Sequence, residues 1–187
     1  ITARIVMFLA FSKTMTAWVF PDAVSSATPL AMMANGESVD YLTLLLGNHG
    51  GCLGETSALA LLIGFAYLLI RGVISWHTPV CFVGTVFVMS LILGQDAVGQ
   101  ILSGGLMLGA IFMATDYTTS PITFKGKIIF GIGCGLITSI IRIFGNLPEG
   151  VSYSIIIMNI LVPLIENVTL PKPFGTPKKE KKEAEVK

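Results

Sequence analysis

Apolar residues in this chain gather in long runs, separated by short clusters of glycine, proline and charge, instead of alternating with polar ones. Crossing about 30 Å of hydrocarbon as a helix takes about 17–25 residues. Five runs approach that length: residues 56–70, 79–95, 98–115, 128–144 and 151–167. The first is short unless Glu55 and Arg71 at its ends reach toward the two interfaces. The fourth carries Arg142 near its end. The stretch Gly145-Asn146-Leu147-Pro148-Glu149-Gly150 reads as a hairpin loop, not a domain linker. Residues 1–20 are apolar apart from Arg4 and Lys13, and read either as a sixth span or as a helix lying along the interface. The pattern predicts an all-α fold, a polytopic transmembrane helix bundle of five to six spans.

Sidedness follows from the basic residues, because Lys and Arg accumulate in loops that stay cytoplasmic. Residues 21–54 contain no Lys or Arg and three acids, Asp22, Glu37 and Asp40. Across five alternating spans, Arg71, Lys125, Lys127 and the tail fall on one side, which then holds nine of the twelve basic residues. The division is therefore an N-terminal helix over 1–20, an extracytoplasmic loop over 21–54, a five-helix region over 55–169 and a cytoplasmic charged tail over 170–187. The tail is rich in Lys and Glu and reads as solvated; its glutamates dilute any attraction to anionic lipid.

Composition sharpens this picture. Of 187 residues, 53% are hydrophobic and 12% charged, and the mean hydropathy is +0.79. A soluble domain carries about 25% charged residues, so this chain has too few to clothe a water-facing surface. A net charge of +1 gives no electrostatic case for binding nucleic acid. Cys52, Cys81 and Cys134 are scattered, with neither a paired framework nor ligand spacing. The chain begins with Ile1, and it reads as part of a longer protein.

Residues Asp22-Ala23-Val24-Ser25-Ser26-Ala27-Thr28-Pro29-Leu30 lie in the outer loop. Proline after Thr28 disfavours a helical conformation at the threonine and presents its hydroxyl. The pattern Asp22-x-x-Ser25-x-Ala27-Thr28 resembles the motif to which flavin transferases attach FMN through a phosphoester on the threonine oxygen. The competing reading is a Ser/Thr-rich turn.

Four stretches extend the resemblance: the Asp22–Leu30 segment; Gly50-Gly51-Cys52-Leu53-Gly54-Glu55-Thr56-Ser57 and the apolar run after it; Phe112-Met113-Ala114-Thr115-Asp116-Tyr117-Thr118-Thr119-Ser120-Pro121; and Lys125-Gly126-Lys127 through Arg142, followed by Pro148-Glu149-Gly150-Val151-Ser152-Tyr153-Ser154. Together and in this order they resemble the D subunit of the Rnf electron-transport complex, similar in turn to the B subunit of the sodium-translocating NADH:quinone reductase. Only the tail falls outside the likeness, and Ser26 departs from it, standing where the family often has Gly. The resemblance implies several things. FMN would be carried covalently on Thr28, with riboflavin as a further, non-covalent flavin. The chain would be a multi-pass protein of the cell (inner) membrane, with a further N-terminal membrane half. Its complex would couple ferredoxin:NAD electron transfer to Na+ or H+ movement. Its partners would be the other integral subunits, the flavin-bearing G subunit, the flavin transferase and membrane lipid. Iron–sulfur centres and NAD would belong to partner subunits, since this chain has neither a cysteine cluster nor a GxGxxG fingerprint.

The remaining polar positions keep two readings each. Gly54, Glu55 and Thr56 precede a helix start, where free N–H groups favour an anion; they either meet a flavin edge or form a tight re-entry loop in which Glu55 caps the helix. Arg142 needs a partner in an apolar span: Glu149, a flavin phosphate, a neighbouring subunit or the headgroups. Asp116, among Thr115, Tyr117, Thr118 and Thr119, lines a flavin or ion site or a hydrated loop. Gly105/Gly109, Gly131/Gly135 and Gly135/Ser139 stand four apart, which lets helices approach closely. By this topology His49 and His77 lie on opposite sides and share no metal. A different class of function, a secondary ion or solute transporter using Glu55, Asp116 and Arg142 without flavin, fits the same rare charges.

Overall fold

The computed structural model describes residues 1–11, 28–36, 39–49, 51, 54–145 and 150–171. Asp22, Ser25, Ala27, Glu149 and the charged tail from residue 172 lie outside the described residues. Within them every regular element is helical. In chain order these are α1 (Thr2–Ala10), α2 (Pro29–Ala34), α3 (Tyr41–Leu46), α4 (Ala58–Ile70), α5 (His77–Ile92), α6 (Ala97–Leu102), α7 (Leu106–Leu108, continuing as a π-helical turn over Gly109–Met113), α8 (Phe124–Phe144) and α9 (Gly150–Thr169).

Local chemistry sets most of the boundaries. The hydroxyls of Thr28, Ser57 and Thr123 accept the N–H groups of Ala31, Ala60 and Gly126, which opens α2, α4 and α8. Helix α3 opens on Asp40 and closes on Gly47 at φ 91°, a left-handed cap that glycine supplies without steric cost. Beyond the end of α5, Gly94 turns the chain at φ 68°.

The five apolar runs are all largely helical, but they differ in length. Helices α8 and α9, of 21 and 20 residues, are long and apolar enough to cross a membrane. Helices α4 and α5 are shorter, at 13 and 16 residues. The run 98–115, expected as one helix, is broken. Ser103 is extended and ends α6, and Gly104 at φ 64° redirects the chain into α7. A continuous helix there would have needed helical dihedrals through a Ser-Gly-Gly sequence that has little helix propensity.

The core lies where α5, α7, α8 and α9 meet, around Phe82, Val86, Leu106, Ala110, Phe130, Cys134, Val151, Ile155 and Met158. The tightest approach is between α5 and α8. A Cβ on Gly131 would stand 2.9 Å from the Thr78 carbonyl oxygen, and one on Gly135 would stand 2.9 Å from that of Phe82. The Gly131/Gly135 spacing thus faces α5, the close helix approach expected of it, whereas Gly105 stands outside the helix and meets Glu55. Gly109 likewise packs against Val151 of α9. On the α8–α9 side, Thr138 and Ser154, both fully buried, share a hydroxyl hydrogen bond of 2.7 Å. The opposite face of α8 presents Ile129, Ile132, Leu136 and Ile140 outward. Small and polar residues point in and branched aliphatic ones point out, the reverse of a water-soluble helix.

This packing makes two substitutions unequal. Gly135→Val drives methyl groups into the α5 backbone and should destabilise the bundle by about 1–3 kcal/mol. Thr138→Val removes one interhelical hydrogen bond and should cost only about 0.6 kcal/mol. Unfolding in a mixed-micelle titration measures both; equal effects would contradict the close α5–α8 contact.

A candidate ionic site at one end of the bundle

The chain passes from one end of the bundle to the other along α4 and α8, which gives the polar residues two distinct addresses. Tyr117 donates to the Val73 carbonyl, His77 stacks with Trp76 and meets Phe124 edge-on, and Glu166 accepts the Ile122 N–H. These define the end where α4 and α9 finish and α8 begins. Arg4, Leu30, Glu55, Gln100, the 103–105 turn and Arg142 gather at the other.

Arg142 lies in the last turn of α8. Its Nη1 donates to the Gln100 carbonyl at 2.7 Å and to Gln100 Oε1 at 3.4 Å, and its Nη2 donates to the Ser103 carbonyl at 3.4 Å. These carbonyls are left over at the end of α6, where no further helical N–H follows and a cation is favoured. The break in the third apolar run therefore creates acceptors that Arg142 occupies. Ser103 is itself fully buried and donates through its hydroxyl to the Gly99 carbonyl at 2.5 Å.

Glu55 is 8% exposed and forms an ion pair with Arg4 of α1. It does not cap α4; Ser57 does so. Glu55 instead lies against Gly105, where a Cβ would sit 3.0 Å from Glu55 Oε1. The adjacent Gly104 faces the other way, and a Cβ there would sit 2.6 Å from Leu30 Cδ1 and 3.2 Å from Arg142 Nη2. Two glycines thus pass between Arg142 with Leu30 on one side and Glu55 on the other. Leu30 is half-buried, next to the buried Pro29, and it stands two residues after Thr28.

Thr28 is extended, at φ −68° and ψ 152°, the conformation expected ahead of Pro29. It is half-buried, and its hydroxyl accepts the Ala31 N–H at 3.3 Å. In the glycine-rich approach, Gly54 adopts φ 88°. The Thr56 carbonyl meets His49 Nε2 at 3.1 Å, and a Cβ on Gly47 would stand 2.9 Å from the Ser57 backbone.

Asp116 belongs to the other end, apart from Glu55 and Arg142. Its Oδ2 accepts from Thr118 at 2.7 Å and Thr119 at 3.1 Å. Those hydrogen bonds, that of Thr118 foremost, hold its carboxyl below the ordinary carboxylate value. Of the three charges singled out from the sequence, two converge. Arg4, Gln100 and Ser103 join them without a sequence signal of their own, beyond the Gly104-Gly105 pair that marks the turn. Among the described residues no group of His, Cys, Asp and Glu has a metal-binding arrangement.

The fold defines an all-helical protein with two helices of membrane-crossing length and an ionic cluster at one end of its bundle. The chain belongs to the NQR2, RnfD, RnfE family, whose model matches residues 1–175. It is 51% identical over 179 residues to the D subunit of the Na(+)-translocating ferredoxin:NAD(+) oxidoreductase complex of Acetobacterium woodii, covering 92% of this chain and 56% of that one. It is 39% identical over 196 residues to the D subunit of the proton-translocating ferredoxin:NAD(+) oxidoreductase complex of Clostridium ljungdahlii, covering 92% and 59%. With the D subunit of an ion-translocating oxidoreductase complex of Stutzerimonas stutzeri the identity is 34% over 217 residues, covering 92% and 61%. The chain thus spans somewhat over half the length of these relatives.

The Arg4–Glu55 pair joins α1 to the start of α4, and its contribution is measurable as a coupling. A double-mutant cycle of Arg4→Met and Glu55→Gln should give an interaction energy of about 0.5–3 kcal/mol. Additive single effects in the same unfolding assay would show that the two residues do not act together.

Proposed function

We propose that this chain is the membrane-embedded D subunit of an ion-translocating ferredoxin:NAD oxidoreductase complex, and that it carries FMN covalently on Thr28. The observation that carries this reading is family membership over residues 1–175, with D-subunit relatives that include one at 51% identity. The outward aliphatic faces of α8 and α9 suit lipid contact. Sidedness read from the basic residues makes this a multi-pass chain of five to six spans, with α4, α5 and the broken α6–α7 segment crossing beside α8 and α9 and the C-terminus in the cytoplasm. Short helices such as α4 are accommodated by local thinning of the bilayer and by polar residues reaching for the headgroups. The Arg4, Glu55 and Arg142 end is then extracytoplasmic.

The residues present suit the attachment. Thr28 is half-buried and extended, on a short helix anchored to the bundle through Leu30, and its hydroxyl accepts a single long hydrogen bond from its own helix. When bound, a flavin would supply one- and two-electron redox chemistry, and the protein would supply its position and surroundings. The chain's own contribution is to hold Thr28 at a fixed height on the bundle. The partners are the other integral subunits, the flavin-bearing G subunit and, during maturation, a flavin transferase. The named relatives include both a Na(+)- and a proton-translocating complex, so either ion is compatible with this fold.

Intact-mass spectrometry of the protein produced with its flavin transferase should show one added FMN, mapped to the peptide containing Thr28. Thr28→Ala should abolish the added mass and the in-gel flavin fluorescence. A wild-type chain without the added mass would refute the covalent-flavin reading and favour a transporter that works without flavin.

A further inference from the structure

A cleft of about 440 Å³ lies beside the helix that follows Thr28, its lining including Met33, Gly36, Val39, Tyr41, Asp96 and Gln100. Met33 belongs to the six-residue helix that Thr28 caps, and Gly36 follows just beyond its end. Anything tethered to Thr28 is therefore held close to the cleft. Its volume falls within the range of about 300–1,000 Å³ typical of sites that hold small molecules and cofactors.

The lining is mixed: Met33, Val39 and the Tyr41 ring lie beside the polar ends of Tyr41, Asp96 and Gln100. Tyr41 Oη donates to Asp96 Oδ2 at 3.0 Å, and that hydrogen bond raises the phenol above its ordinary pKa, so Tyr41 remains a neutral donor at physiological pH. One phenol does not saturate a carboxylate, which offers about four lone-pair directions. Beneath them the backbone is bare at Gly99, which is buried. A Cβ at Gly99 would stand 2.5 Å from both Met33 Sδ and Asp96 Oδ2. Glycine at that point lets the thioether and the carboxylate lie together across one floor. Gln100 ties the cleft to the ionic cluster, since its Oε1 and carbonyl both accept from Arg142.

We propose that this cleft seats the ring system of the flavin carried by Thr28, with Met33 and Tyr41 against the ring and Asp96 accepting from its imide N–H. The inference rests on the Thr28 reading. A flavin ring is flat, apolar at one end and polar at the other, where an N–H donor lies between two carbonyls, and the cleft likewise sets Met33 and Val39 beside polar groups that include an anionic acceptor. Asp96 and Tyr41 are positioning residues here. A fixed negative charge beside a flavin also opposes electron addition, so Asp96 sets the potential as well as the orientation.

The test uses the full-length protein produced with a flavin transferase, and reads covalent flavin by intact mass, midpoint potential by redox titration, and ring accessibility by iodide quenching of flavin fluorescence. Asp96→Asn, nearly isosteric, should retain the covalent flavin and shift the midpoint potential upward. Gly99→Val, whose side chain must displace Met33 and Asp96, should retain the covalent flavin and raise the quenching constant at least twofold. Should Gly99→Val fail to fold, Asp96→Asn decides alone. Flavinylated variants whose potential and quenching equal those of the parent would overturn the seat and leave the Thr28 attachment standing. A parent chain without covalent flavin would remove both.

Discussion

The arrangement of this end of the molecule depends on one interaction, the guanidinium of Arg142 on the carbonyls of Gln100 and Ser103. An interrupted helix in an apolar setting leaves acceptors that lipid cannot satisfy, at a cost of several kcal/mol per group. An arginine near the end of an apolar helix is itself costly unless it finds partners. Each removes the other's penalty. Once α6 stops at Ser103, Gly104 and Gly105 can pass between Leu30 and Glu55, and Leu30 brings the Thr28 helix down onto the bundle. The break in the third apolar run is thus a structural device. It replaces a straight helix by a turn on which three other segments converge.

The rest of the bundle is held by close backbone approach. Gly131 and Gly135 let α5 settle onto α8, and Thr138 with Ser154 fixes α9 on the other side. Helices packed through small residues with aliphatic faces outward gain from van der Waals contact and buried hydrogen bonds, as expected where the surroundings are as apolar as the side chains. The two ends are finished differently. One is ionic, with Arg4, Glu55 and Arg142. The other is hydroxyl-rich and aromatic, with Asp116 engaged by Thr118 and Thr119, Thr123 bonded to Thr169, and Trp76, His77 and Phe124 in contact. Of the aromatic residues, Trp and Tyr are the ones that collect at the level of the headgroups, and this end holds Trp76 and Tyr117.

Much of this was legible in the sequence, and for identifiable reasons. Long apolar runs reported helices because hydrophobic length is a one-dimensional property, and α8 and α9 emerged within four residues of their expected starts and two of their expected ends. The extended Thr28 followed from Pro29, a purely local constraint. Glycines four apart reported a packing face because helical periodicity places them there. What escaped was tertiary. Nothing local marks Arg4 as the partner of Glu55, 51 positions away, or Gln100 as that of Arg142, 42 positions away. The interruption at Ser103 was written as Ser-Gly-Gly, but glycine is common in membrane helices, so the run counted as continuous. Asp96 and Tyr41 went unmarked because an acid at a span's end and a tyrosine in a loop each look ordinary until the fold brings them to one cleft.

Arg142 positions the Thr28 segment through the 103–105 turn, and hydrogen–deuterium exchange on Arg142→Gln, in the full-length protein in a lipid bilayer, tests this most directly. Exchange should become faster both at residues 103–105 and at residues 31–36, with α8 before residue 138 unchanged. Faster exchange confined to the turn, with residues 31–36 as protected as in the parent protein, would contradict that role for Arg142.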